Sequence, residues 1–265
     1  MALLNVNFFA ESLGMSSEAT VILPQTTTGQ IGLQVKGGDG PLPVLYLLHG
    51  LSDDHTIWLR RTAIERYVAP MGLAVVMPNV HRSFYADMQH GGKYFTYVTE
   101  ELPRVMRSFF RVSDRREDTF VAGLSMGGYG AFRCALSHPE RYAAAASLSG
   151  AVDRTTERGT PSDSIDAALR LAFGEPDAYP GSKHDLLHLA SELVRQGHDR
   201  PALYQCCGTA DFLYEQNLAF YAHCETLGLE VDHVWHPDQT HQWAYWDEQI
   251  REVLAWLPLD AKPAD

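Results

Sequence analysis

Ser125 stands between glycines in the stretch "FVAGLSMGGYGAF", as Gly123-x-Ser125-x-Gly127, and the residues after it read as a helix ended by Pro139. A serine hydroxyl at its ordinary pKa is a poor nucleophile, so chemistry here needs a base to take its proton and an acid to orient that base. Both residue types occur downstream. Asp211 follows the apolar run "ALYQCCG", and His241 follows the run ending in "VWHPDQT", each in a loop before a helical pattern. Glycines two positions either side of the serine leave room for a tight strand-to-helix turn, and the new helix aims its free N–H groups at any anion formed there. This set supports acyl transfer through a covalent serine ester, with Ser125 as nucleophile, His241 as general base and Asp211 as orienting acid. The competing reading of Ser125 is a helix N-cap, with glycines for close packing.

An acyl-transfer centre must also hold the negative charge that develops on the carbonyl oxygen. The N–H of Met126, directly after the serine, is one expected oxyanion donor. The run "VLYLLHGLSDDHTIW" supplies the other: His49 and Gly50 end a strand, and the N–H of Leu51 follows, with Gly50 allowing close approach of the backbone to substrate. Trp58, Tyr85 and Trp243 flank these loops and are expected, with Gly50, to form the substrate pocket, although core packing suits the three aromatics equally well. His236 is the alternative base, and Asp232, Asp238 and Glu215 are alternative acids. A metal site from His233, His236 and His241 lacks both H-E-x-x-H spacing and a carboxylate cluster, so no metal is expected.

What must position these residues is a set of short apolar runs. "VLYLLH", "LAVVMP", "TFVAG", "AAAASLSG", "ALYQCCG" and "EVDHVWH" mostly lack period-two alternation, as strands buried on both faces do. Helical patterns lie between them, so the expected fold class is α/β: a mostly parallel central sheet flanked by helices, with catalytic loops at the carboxyl ends of the strands. "ATVILP" and "IGLQVK" read as an antiparallel hairpin at the sheet edge. Residues 151–200 loosen into "DRTTERGTPSDS", two helical stretches and the breakers "GEPDAYPGS", which reads as a small cap insertion within a single 1–265 domain. The tail "DAKPAD" reads as disordered.

Composition narrows the partners. The chain has 265 residues and a formal net charge of −12, with its cations scattered, so no basic stripe for nucleic acid is present. No run reaches the roughly 18 apolar residues of a membrane span. The start "MALLNVNFFAESLGM" has no cationic region, and Asn5, Asn7 and Glu11 interrupt its apolar residues, so it reads as an unexported, cytoplasmic start. Cys134, Cys206, Cys207 and Cys224 show no C-x-x-C spacing and read as small buried residues of a reducing compartment. The expected partner is a small-molecule ester substrate; a homo-oligomer is left open.

The chain resembles the esterase D family of α/β-hydrolases, in its tributyrin esterase and S-formylglutathione hydrolase-like branch. "YLLHGLSDDHTIW", "SFYAD", "KYFTYVTEELP", "VAGLSMGGYGAFRCALSHPERYAAAASLSG", "CGTADFLYEQN" and "THQWAYW" carry the resemblance. It implies the α/β-hydrolase fold and hydrolysis of short acyl esters by Ser125, Asp211 and His241, with the amides of Leu51 and Met126 as oxyanion hole and no cofactor. Thioester hydrolysis of S-formylglutathione and feruloyl or other aryl-ester hydrolysis share that machinery. A hydrolase-fold binding protein without catalysis is the reading from another class. His49 stands where human-like S-formylglutathione hydrolases carry serine, a departure that favours a general esterase.

Overall fold

A computed structural model describes residues 1–27, 29–37, 40–153, 163–197 and 199–264. Its strands are β1 (Ala2–Ala10), β2 (Met15–Leu23), β3 (Val44–Leu48), β4 (Ala74–Pro78), β5 (Thr119–Leu124), β6 (Ala144–Leu148), β7 (Ala202–Gly208) and β8 (Asp232–His236). The helices are α1 (Ile57–Arg61), α2 (Ile64–Val68), α3 (Tyr94–Thr96), α4 (Leu102–Phe109), α5 (Met126–Ser137), α6 (Asp163–Phe173), α7 (Leu186–Gln196), α8 (Tyr214–Leu227) and α9 (Trp243–Trp256). All eight strands join one sheet in the order β1-β2-β4-β3-β5-β6-β7-β8. β1 and β2 pair antiparallel, β2 runs antiparallel to β4, and the six strands from β4 to β8 across the sheet are parallel.

The parallel strands inside the sheet are short, mostly apolar runs because both of their faces are covered, whereas the edge strand β8, DHVWH, is largely exposed. Tyr46, Leu48 and Val121 face a core built with α4, α5, α7 and α8, while Leu45, Leu47, Phe120 and Ala122 face one built with α1, α2 and α9. Burying each large aliphatic side chain contributes about 1.5–3 kcal/mol, and two such faces hold the sheet between its helices. Register then decides where chemistry can sit. Leu48 pairs with Gly123, Leu124 with Leu148, Leu148 with Cys206, and Gly208 with His236, so the carboxyl ends of five strands finish at one rim.

The edge hairpin differs from the sequence expectation. β2 is its second strand, and β1 supplies the first; residues 31–36 form no strand, and Ile31 is exposed. The asparagines that look like interruptions of an apolar segment are the outward positions of an alternating strand, whose Leu4, Val6 and Phe8 pack on the core. The described parts of residues 151–200 pack in different places. α6 docks on the loop after β4 through Gln89 and His90, whose N–H groups donate to the Ala172 and Leu171 carbonyls, whereas α7 joins the helical layer against α5 and α8. The "DRTTERGTPSDS" segment lies almost wholly outside the described residues.

Between α3 and α4 the chain makes a π-helical turn, Tyr97–Glu101. Pro103 has no N–H to donate back to the Thr99 carbonyl, and the Arg141 guanidinium donates to it instead at 2.7 Å. The same turn brings the Glu101 carboxylate to the β1–β2 connection, where it accepts from the N–H groups of Glu11 (2.7 Å) and Ser12 (2.9 Å).

Candidate active site

Ser125 occupies the junction of β5 and α5 with φ 53° and ψ −118°, a strained conformation for a residue with a side chain. The strain persists because both neighbours hold the turn. The Ser125 N–H donates to the Leu148 carbonyl at 2.9 Å, and the Ser125 carbonyl accepts from Ala151 N–H at 3.1 Å. The flanking glycines are steric requirements. A Cβ on Gly123 would lie 2.8 Å from Leu48 Cβ, and one on Gly127 would meet the Leu48 carbonyl and lie 2.8 Å from the His49 carbonyl oxygen. Close packing of α5 on β3 and β5 thus pushes the serine out at the rim, where it is partly exposed.

Asp211 and His241 come together from the loops after β7 and β8. The Asp211 carboxylate is buried; Oδ1 accepts from Leu213 N–H at 2.9 Å and Oδ2 pairs with His241 Nδ1 at 2.8 Å. A carboxylate at Nδ1 fixes the proton there and leaves Nε2 with its lone pair, the state a general base requires. Two aromatic rings hold the imidazole: Trp246 edge-on at 4.7 Å and Phe212 at 4.5 Å. Trp246 donates its indole N–H to Ser149 Oγ at 3.2 Å, which ties the base's support to the end of β6 beside the serine turn. No hydrogen bond joins Ser125 Oγ to the His241 ring in this geometry; such contacts commonly tighten when substrate fills a site.

The loop after β3 is held by a chain of polar contacts around His49. This ring is fully buried and lies between two backbone groups: Nδ1 is 2.7 Å from the Gly50 carbonyl, and Nε2 accepts from Val80 N–H at 3.1 Å. Accepting at Nε2 and donating from Nδ1 requires the neutral ring, and burial pushes its pKa down to about 4. Pinning the Gly50 carbonyl turns the opposite side of that peptide, the Leu51 N–H, the other way. Met126 opens α5, so its N–H is one of the helix's unsatisfied initial donors. The two expected oxyanion donors therefore belong to segments that meet at the serine, because the position of a Gly50 Cβ lies 3.8 Å from Ser125 Cβ.

Other expected residues fall elsewhere. Trp58 and Tyr85 are 1% and 0% exposed and do not open onto a pocket; they brace the loop from within. The Trp58 indole donates to the Leu48 carbonyl at 3.0 Å and the Tyr85 hydroxyl to the His49 carbonyl at 2.8 Å. Trp243, half-buried, packs edge-on against Trp58 at 5.3 Å. His236 turns to the Tyr245 hydroxyl at 3.0 Å, and His233 stacks on Tyr221, so neither joins His241. Asp232 accepts from the Trp256 indole at 2.7 Å, which removes it as a partner for the base. The four cysteines are buried and unbridged. Sequence reasoning missed Trp246, Phe212, Arg133 and Asp53 as parts of this rim. Arg133, 1% exposed, donates to the Tyr85 carbonyl at 2.8 Å and stacks 4.2 Å from the Phe95 ring, fixing the residue that fixes the loop. A cleft of about 790 Å³ lies at the opposite end of the sheet, around Tyr46, Thr119 and Tyr142, away from Ser125.

A strained serine on a strand-to-helix turn, with a carboxylate-bound imidazole on the neighbouring loops of a mostly parallel sheet, defines the class: an α/β-hydrolase-fold serine hydrolase. Comparison with known proteins sharpens this. The family described as "Putative esterase" matches residues 20–257, and the chain belongs to it. An acetyl esterase of Caldicellulosiruptor saccharolyticus is 30% identical, over 97% of this chain and 98% of that protein. Two Staphylococcus aureus structures have the same fold. The substrate-bound fluorophosphonate-binding serine hydrolase FphF is 33% identical with a TM-score of 0.85, covering 97% of this chain and 98% of that one. The S-formylglutathione hydrolase FrmB, as apoenzyme, is 34% identical with a TM-score of 0.82 at the same coverage. Among the described residues no helix is long and apolar enough to cross a membrane.

Proposed function

We propose that this protein is a serine carboxylesterase that hydrolyses short-chain acyl esters through an acyl-enzyme on Ser125. The observation that carries the reading is the strained Ser125 turn at the same rim as the 2.8 Å Asp211–His241 pair. Ser125 Oγ attacks the ester carbonyl and forms the new C–O bond while His241 Nε2 takes its proton. Asp211 keeps the imidazole in the useful tautomer and stabilises the imidazolium that forms. The N–H groups of Leu51 and Met126 receive the charge on the carbonyl oxygen. Collapse of this intermediate breaks the bond to the alcohol, which leaves with the proton from His241. Water then repeats the cycle against the acyl-enzyme and releases the acid.

Purified protein is expected to hydrolyse 4-nitrophenyl acetate and butyrate faster than longer-chain esters and to take up one fluorophosphonate, located on Ser125 by mass spectrometry. Ser125→Ala should lose both properties; undiminished turnover in that variant would refute the mechanism. Thioester hydrolysis is the second reading, supported by the likeness to FrmB, and uses the same steps with a thiol as leaving group.

A further inference from the structure

We infer that Asp53 is a specificity-determining residue that sets the charge of the alcohol half of the substrate, admitting neutral and cationic leaving groups and turning away anionic ones. The inference rests on the esterase reading above.

The leaving oxygen must take its proton from His241, so the alcohol half has to lie against that imidazole. Phe212, 74% exposed, forms one wall there, 4.5 Å from the ring. Asp53 supplies the charge: its carboxyl lies within the field of His241. It is also close to the nucleophile. Asp53 Oδ2 and Ser125 Cβ lie 2.9 and 3.8 Å from the same point, the position of a Gly50 Cβ, so one side chain's length separates them. A leaving group bonded to the acyl carbon on Ser125 comes within a side chain's reach of that carboxylate.

Its neighbour, not Asp53, closes the turn that follows. Asp54 uses its carboxylate to accept from the N–H of Thr56 at 2.8 Å and its hydroxyl at 2.6 Å, closing the turn into α1. The Asp53 carboxylate accepts from the Gly50 backbone, and burial followed by Asp54 pushes its pKa up despite opposing effects from Gly50, Arg61 and His241. A half-buried carboxylate held at a cost to stability beside reacting groups is a feature of functional sites. Exposed Arg61 is the cation whose field reaches it. Arg82 is committed to Ser164 on α6, and Lys93 lies at the cleft on the far end of the sheet, so neither is aimed at a leaving-group carboxylate.

The test compares phenyl acetate with two para-substituted versions, one carrying a trimethylammonium group and one a carboxylate, on wild type, Asp53→Asn and Asp53→Ser. Each ester is compared with itself across enzymes, so differences in leaving-group acidity cancel. In both variants kcat/KM for the anionic ester, relative to the cationic one, should rise roughly five- to tenfold, mostly through KM, as expected for one unit charge removed from a partly solvated site. In wild type, raising salt to about 0.5 M should shrink the discrimination, while in the variants salt should change it little. Phenyl acetate turnover that depends on Ser125, with an unchanged anion-to-cation ratio in the variants, would overturn the role of Asp53 and leave the esterase reading standing. No Ser125-dependent turnover of phenyl acetate in wild type would overturn both.

Discussion

Replacing His49 by alanine tests how the oxyanion loop is held. The substitution removes the donor that pins the Gly50 carbonyl and the acceptor for Val80 N–H, which is fully buried. An unsatisfied buried N–H costs about 1–3 kcal/mol, and the emptied volume adds to it. A total of about 4 kcal/mol lowers Tm by roughly 10 °C for a chain of this size. The kinetic effect is separate: if the Gly50–Leu51 peptide can rotate, one oxyanion donor is lost, which is worth about 10²–10³ in kcat. Assayed well below its Tm with 4-nitrophenyl acetate, His49→Ala should therefore lose kcat by about 10² with little change in KM. His49→Asn, which keeps a short donor, should recover part of it. Stability against pH gives an independent readout. Burial lowers the ring's pKa from 6.5 to about 4, so between those values the unfolded chain binds a proton that the folded chain does not. The fold loses about 1.4 kcal/mol per pH unit from this group as pH falls through that window, about 3 kcal/mol in all, and no more once the folded ring is protonated too. Both variants should show a shallower fall of Tm between pH 6.5 and 4. Superimposable pH profiles, or a kcat for His49→Ala within about threefold of wild type, would refute this account of the loop.

Three further substitutions follow from the same geometry. Asp211→Asn keeps an acceptor for Leu213 N–H but loses the tautomer control at His241, so kcat for 4-nitrophenyl acetate should drop on the order of 10³–10⁴ with Tm nearly unchanged; a drop under tenfold would count against the assigned role. Gly127→Ala drives a methyl group into the Leu48 and His49 carbonyls and should destabilise the fold by several kcal/mol, read by urea unfolding; a wild-type midpoint would show the helix free to shift. Arg133→Lys keeps a buried charge but loses the planar stack on Phe95 and should cost about 2–4 kcal/mol, more than Arg133→Met; the reverse order in urea unfolding would mean that the charge, not the stack, matters.

The strand ends before Ser125 and Asp211 were legible because each follows a mostly apolar, buried run, whereas β8, DHVWH with its first three residues exposed, was read from its Val-Trp pair and its place in the strand–helix alternation. β1 was not, because Asn5 and Asn7 look like breaks in an apolar segment until the partner strand shows that they occupy outward positions. Residues 31–36 mislead in the opposite sense: they alternate, but no strand lies beside them. The supports of the site were hidden for another reason. Nothing local distinguishes Asp53 from Asp54, Tyr85 from other buried tyrosines, or Trp246 from Trp243. Their roles depend on which backbone carbonyl or ring the fold brings to them from a distant segment.

The rim where five of the parallel strands end has a consequence for how the enzyme is made. Its parts come from the loops after β3, β5, β6, β7 and β8, and the imidazole arrives only with the loop that leads into α9. A chain emerging from the ribosome would present its nucleophile well before its base and stay inert until His241 had been synthesised. Esterase activity thus reports that Ser125, Asp211 and His241 have all been made and brought together, and a fragment ending before His241 cannot turn over an ester by this route.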